Sequence, residues 1–246
     1  MRKALLLITS LLWLSACQTT AVIPQPETVV EEPQKKTHFI ETTEEFDPYP
    51  FVGSIRRQDE SLIGSGVLIE DDIVLTAAHV VEDTNNPFFF RIQNEDILIE
   101  EIIIHSDYFM TDNDIAILIL ACPASEKPIT IITDEDILFR NSPLITVGFG
   151  RGYKKFSLPD TFFYYGTLVG DEDQIKFLPL KDTIWFGDSG GAVLTYVGGK
   201  LKLVGIMSHF RINDEYKVFE NSASSVQYFY TWIKEVIDER MERMAR

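Results

Sequence analysis

Three stretches of the 246-residue chain hold residue types suited to nucleophilic catalysis. In chain order they are Leu75-Thr76-Ala77-Ala78-His79-Val80, Asp112-Asn113-Asp114-Ile115-Ala116-Ile117-Leu118 and Gly187-Asp188-Ser189-Gly190-Gly191. A serine hydroxyl becomes a nucleophile when a base within hydrogen-bond reach takes its proton and a buried carboxylate orients that base. Glycines around Ser189 leave a carbonyl free to approach. The peptide N–H groups of Gly187 and Ser189 can point at the oxyanion that forms, each donor being worth about 3–4 kcal/mol. Asp114 stands at the mouth of a strongly apolar run, where burial suits a carboxylate that fixes an imidazole. Taken singly, the glycines could make a tight turn, His79 could be a core histidine and Asp114 could cap a strand. Their joint occurrence in the order His, Asp, Ser points to acyl transfer.

Such residues need a rigid frame. From Pro48 onward the chain consists of short apolar runs: Gly64 to Ile69, Ile73 to Thr76, Ile97 to Ile104, Ile115 to Leu120, Leu144 to Gly148, Ala192 to Val197 and Leu201 to Met207. β-Branched residues crowd these runs, and Asp71-Asp72, Asn85-Asn86-Pro87 and Gly198-Gly199 separate them, so strands dominate. The pattern predicts an all-β sandwich or barrel. Near the end, Tyr228, Trp232, Ile233, Val236, Ile237, Met241 and Met244 recur at helical spacing and predict one terminal helix of about four turns.

The three motifs, in this order, resemble those of the chymotrypsin-like (trypsin-fold) serine proteases, over roughly residues 48–240. The resemblance implies two six-stranded antiparallel β-barrels with the catalytic groups in the cleft between them. It implies His79 as general base, Asp114 as its orienting partner, Ser189 as nucleophile, and Gly187 and Ser189 as the oxyanion hole. Ser208, in Val204-Gly205-Ile206-Met207-Ser208, falls where the family's serine supports the buried aspartate. The spacings of 35 residues (114 − 79) and 75 residues (189 − 114) are those of a compact bacterial member. The family's disulfide cysteines are missing, as is a basic cleavage site before an Ile-Val-Gly-Gly start. Insertion of a new N-terminus beside Asp188 is therefore not expected, and Asp188 must find another partner. By the same register the base of the substrate pocket is Thr183, with walls at Phe210 and Asn221. An uncharged Thr183 and a ring at Phe210 predict a preference for small uncharged side chains. His209 is a candidate contact in the cleft, and His105 reads as a loop residue.

Composition sets the surroundings. The formal charge is 22 − 38 = −16, which excludes nucleic acid as a partner, since phosphate binding needs clustered Lys and Arg. Residues 1–16 read as a lipoprotein signal peptide: Arg2 and Lys3, the apolar run Ala4 to Leu14, then Leu14-Ser15-Ala16-Cys17, which resembles a lipobox. Residues 17–46 then comprise a lipidated Cys17 and a Pro-, Thr- and Glu-rich flexible tether, and residues 47–246 the protease domain. These readings place the protein on a bacterial cell envelope, in contact with membrane through Cys17 and facing the periplasm or outer membrane in a Gram-negative host. Cys122 reads as a small buried hydrophobe. No metal-ligand spacing occurs and no cofactor is expected; the partners are protein or peptide substrates, met as a monomer. Two rivals differ in class. An α/β-hydrolase esterase also carries Gly-x-Ser-x-Gly, but needs the order Ser, acid, His. A catalytically silent pseudoprotease would use the same fold as an envelope-anchored binding module.

Overall fold

The computed structural model describes residues 39–43, 45–83, 88–158, 162–166, 173–179, 184–215 and 218–245. The first half is built on strands β2 (Val52–Arg57), β3 (Leu62–Glu70), β4 (Ile73–Thr76), β5 (Phe88–Ile92), β6 (Glu95–Ile104) and β7 (Ala116–Leu120). These close a barrel in the order β2-β3-β4-β7-β6-β5. Alternation in β5 turns Phe88, Phe90 and Ile92 inward, whereas β7 is buried along its whole length. Ile55, Val67, Leu75, Phe90 and Ile117 are all fully buried there, and each such side chain adds about 1.5–3 kcal/mol of transfer free energy.

The second half contains β8 (Pro143–Gly148), β9 (Lys155–Ser157), β10 (Phe162–Gly166), β11 (Gln174–Pro179), β12 (Ala192–Val197), β13 (Lys200–Ile212) and β14 (Val218–Ser225). With β1 (Phe39–Glu41) they form an eight-stranded sheet ordered β1-β9-β8-β10-β11-β14-β13-β12, and β12 also pairs β8. Of the two six-stranded barrels expected, the first is found as a closed barrel, while the second half forms a larger sheet. The difference arises at β9, which pairs β8 and carries β1 against it, with Phe39 opposite Ser157 and Glu41 opposite Lys155. Composition had placed residues 39–41 in the tether; Phe39 instead packs its ring on Phe162 at 6.0 Å. Residues 1–38, which include the expected signal peptide, Cys17 and most of the expected tether, lie outside the described residues.

Helix α2 (Tyr230–Met244) matches the predicted terminal helix, burying Ile233 and Val236. His105 packs edge-on to Phe229 and Trp232, at 5.1 and 5.0 Å between ring centres, so it helps seat this end of the chain. Cys122 is exposed, not buried, because the apolar strand β7 ends at Leu120 and the chain leaves the barrel there.

Candidate active site

His79 sits on the single helical turn α1 (Ala78–Val81) that follows β4, and Asp114 just precedes β7. Because Thr76 at the end of β4 pairs with Ala116 at the start of β7, residues 35 apart in sequence become neighbours. Asp114 is 1% exposed, and three groups engage its carboxylate. Its Oδ2 accepts from His79 Nδ1 at 2.8 Å and from the Ser208 hydroxyl, and its Oδ1 accepts the His79 backbone N–H at 3.0 Å. From behind, Ser224 Oγ donates to the Asp114 carbonyl at 2.6 Å. A carboxylate on Nδ1 places the imidazole proton there and leaves Nε2 with its lone pair. Burial pulls the His79 pKa down, but the Asp114 hydrogen bond and the charges of Asp114 and Glu82 outweigh it, leaving a net rise. Such a ring holds a proton more tightly than a free imidazole once it takes one.

Ser189 lies on the loop before β12. Gly187 (φ +96°) and Gly190 (φ +81°) hold that loop in backbone conformations that side chains disfavour. A Cβ on Gly190 would come within 2.1 Å of the Ser65 carbonyl oxygen, so only glycine fits there. Ser65 also links the two halves: its N–H donates to the Ser189 carbonyl at 2.8 Å, and its hydroxyl donates to the Gly187 carbonyl at 2.7 Å. Among the described residues, neither the Gly187 nor the Ser189 N–H has an acceptor, so both are free to meet an anionic oxygen. The Ser189 hydroxyl donates to the Ser208 carbonyl at 3.3 Å.

His79, Asp114, Gly187, Ser189, Ser208 and Phe210 all line one cavity of about 620 Å³. Its apolar side is made by Leu62, Ile63, Met110, Ile184, Trp185 and Phe186. Phe210 stacks on Trp185 with ring centres 6.0 Å apart and planes within 7°, and Phe186 meets Phe210 edge-on at 6.0 Å. Thr183 lies outside the described residues. Asn221 is fully buried opposite Phe210 in the β13–β14 register and is not among the cavity's lining residues. His209 does line it. Since the single Ser208 hydroxyl proton goes to Asp114, His209 Nδ1 donates to Ser208 Oγ across 3.1 Å. Burial, reinforced by the positive charges of Lys176 and Arg211, pushes the His209 pKa down to about 4 and keeps the ring neutral.

Asp188 is also buried, and its partner is one that sequence reasoning missed. Lys155 Nζ lies 3.1 Å from its Oδ2. Ser65, Ser224 and the Trp185–Phe186 pair were likewise not singled out, since each acts across a fold contact. Ser65 had a faint signal, as the middle residue of Gly64-Ser65-Gly66. Among the described residues no group of His, Cys, Asp and Glu could hold a metal ion.

A family model described as Trypsin matches residues 41–233, well over half of the chain. The match takes in all three motifs. No curated protein matches the chain.

Proposed function

The chain belongs to the trypsin family, and from that premise we propose that it is a serine endopeptidase working through an acyl-enzyme at Ser189. The observation that carries the reading is the meeting, in one cavity, of the His79–Asp114 pair at 2.8 Å with a serine whose loop offers two unengaged N–H donors. Rotation about the Ser189 Cα–Cβ bond moves its hydroxyl from the Ser208 carbonyl to His79 Nε2; apo sites commonly tighten in this way when substrate binds. His79 then takes the hydroxyl proton as Oγ attacks the scissile carbonyl carbon. The carbonyl oxygen becomes anionic and accepts from Gly187 and Ser189 N–H. Collapse breaks the C–N bond, with the His79 proton passing to the departing amine, and water enters by the reverse path to release the acyl group. Asp114 holds the imidazole in orientation and stabilises its charged form throughout.

The pairing of β12 with β8 supports reading the second sheet as a second barrel, whose loops present Ser189 to the first. Its substrates are proteins or peptides, acted on by a monomer that needs no cofactor. Lipidation at Cys17 would hold the domain to a bacterial envelope, as the run Ala4 to Leu14 followed by Ser15-Ala16-Cys17 supports. A Cys17→Ser variant is expected to leave the membrane fraction; retention there would refute the anchor.

The test of activity is a peptide library digested by the purified domain beside a Ser189→Ala control, with fluorophosphonate labelling in parallel. Ser189→Ala and His79→Ala are each expected to lower turnover by roughly 10⁴- to 10⁶-fold with the fold intact. The Ser189 hydroxyl's contact with the Ser208 carbonyl supports a second reading, a silent pseudoprotease that acts as an envelope-anchored binding module. Wild-type protein that neither cleaves nor takes the label would establish it.

A further inference from the structure

Asp188 lies between the two residues whose N–H groups are read as the oxyanion hole, and it is 2% exposed. A carboxylate so buried is costly unless charged and polar partners surround it. Here they do. Oδ1 accepts the Gly150 N–H at 2.6 Å, while Oδ2 accepts the Trp185 N–H at 2.8 Å and pairs with Lys155 Nζ at 3.1 Å. Lys155 is itself 5% exposed and gives a second hydrogen bond to the Gly150 carbonyl at 3.2 Å. The site is full. A Cβ on Gly150 would stand 2.2 Å from Asp188 Oδ2 and 2.6 Å from Lys155 Nζ, so the ion pair packs directly on the Gly150 backbone.

The same carboxylate shapes the serine loop. The Asp188 N–H closes a turn on the Trp185 carbonyl at 2.9 Å, and the Asp188 side chain reaches back to the Trp185 N–H. Gly187 is caught inside that turn, with its carbonyl held from the other side by Ser65. Upstream of the first barrel strand, the described chain meets this site as a paired strand, not as a free end. Its strand β1 runs antiparallel to β9, with Glu41 opposite Lys155, and places the Phe39 ring 4.9 Å from Lys155 Nζ. An ammonium face against an aromatic ring is a favourable contact, strongest where water is excluded.

We propose that Lys155 is the positioning residue that holds the Gly187–Ser189 loop in its working shape, so that the protein is competent as an uncut chain and needs no cleavage to supply a cation for Asp188. This rests on the endopeptidase reading. The uncut N-terminal segment serves as a cover over the lysine.

The experiment compares intact wild-type protein, confirmed uncut by mass, with Lys155→Met, Lys155→Arg and the double variant Lys155→Met/Asp188→Asn. Hydrolysis kinetics, thermal melting and hydrogen exchange of residues 185–191 are read for each. In Lys155→Met, kcat is expected to fall by about 10²-fold or more with KM within about threefold, as when an oxyanion donor is lost. Exchange should rise in 185–191 ahead of the barrel strands. Lys155→Arg should restore part of kcat. The double variant removes the unpaired buried charge and should melt closer to wild type, yet stay slow. The amide that Asp188→Asn puts in place of the carboxylate has one oxygen to serve two N–H groups, and its NH2 must face one of them.

The proposal is overturned if uncut wild-type protein is inactive but gains Ser189-dependent activity on cleavage ahead of β2. It also fails if Lys155→Met hydrolyses and exchanges like wild type, or if melting and kcat recover together in the double variant. Should wild type show no Ser189-dependent hydrolysis in any form, the endopeptidase reading fails, and the exchange of residues 185–191 still decides whether Lys155 holds the loop.

Discussion

The two halves of the molecule hold the proposed active-site residues by different means. Up to residue 133 the buried polar side chains among the described residues are Ser54, Ser65, Thr76 and Asp114; everything else buried there is apolar or glycine. Beyond residue 133 the buried set includes Lys155, Lys176 and Asp188 as charged groups, together with Gln174, Asn221 and a row of serines in β14. The barrel half therefore packs closely around one buried carboxylate, Asp114, which Ser208 and Ser224 reach from the sheet half. The sheet half fixes Ser189 by ion pairing and hydrogen bonds. Packing is insensitive to charge and pH, while an ion-paired loop is not, so damage to the halves should be separable into lost stability and lost chemistry.

The largest effect should come from the one buried carboxylate described in the barrel half. Asp114→Asn keeps the shape of the side chain but cannot hold the proton of His79 on Nδ1. Turnover is expected to fall by roughly 10⁴-fold with little change in melting temperature, measured by steady-state kinetics and calorimetry. A loss confined to stability would mean that Asp114 is a packing residue and that the contrast between the halves is wrong.

Next in size is the converse change. Phe90 is fully buried at the centre of β5, and Phe90→Ala should cost about 3–5 kcal/mol of unfolding free energy by denaturant titration. The kcat of the protein that remains folded should stay within a fewfold of wild type, since Phe90 touches neither the carboxylate nor the serine loop. A large kcat effect would show that the barrel also tunes the chemistry.

This division explains what could be read from the amino-acid sequence. The strands Ile73 to Thr76 and Ala192 to Val197 match the structure residue for residue, because β-branched runs bounded by turns announce themselves. His79, Asp114 and Ser189 sit in compact local motifs, and the fold brings them to one cavity. Strand β14 was missed because its buried residues include Asn221, Ser222, Ser224 and Ser225, which look like loop until the backbone that buries them is known. Lys155 was missed for a related reason. Its partner is 33 residues away, and a lysine beside a second one, Lys154, carries no sign in sequence that it will be buried. The Trp185–Phe210 stack joins distant parts of the chain in the same long-range manner. What escapes single-sequence reading is the polar chemistry of the sheet half.

The two cleft histidines sharpen the comparison through pH. His79 binds its proton more tightly in the folded protein than its ordinary value of 6.5 implies, so the acidic limb of kcat/KM should have its midpoint above 6.5. Stability from this group is complete below 6.5 and is lost as pH rises through the raised folded value. His209 is opposite in sign. With a folded value of about 4, its contribution is present above 6.5 and lost as pH falls from 6.5 towards 4. Activity should therefore show one limb, not two, between about pH 5 and 8. Glu82→Gln removes one of the charges that raise His79 and should move that limb to lower pH. A limb that moves instead in His209→Gln would assign it to the wrong histidine.

The smallest effect expected is on side-chain preference, and it concerns the aromatic wall that the sheet half contributes. Phe210 stacks on Trp185 and meets Phe186, so three rings close one side of the cavity beside Ser189. A substrate side chain entering there must fit what the rings leave. It meets no charge among the lining residues of that wall, and a Lys or Arg buried without a partner costs several kcal/mol. Cleavage after small uncharged residues such as Ala, Val or Thr is therefore expected in the wild type. Phe210→Gly unstacks Trp185 and opens the wall, and should extend cleavage to larger apolar residues, with each added methylene worth about 0.8 kcal/mol in kcat/KM. His79 and Asp114, held by the other half, should keep the rate on the original small substrates within a fewfold. A wild type that cuts mainly after Lys or Arg would place a carboxylate at the pocket base and refute the wall's role. An unaltered preference in Phe210→Gly would instead show that the ring covers the cavity without selecting what enters it.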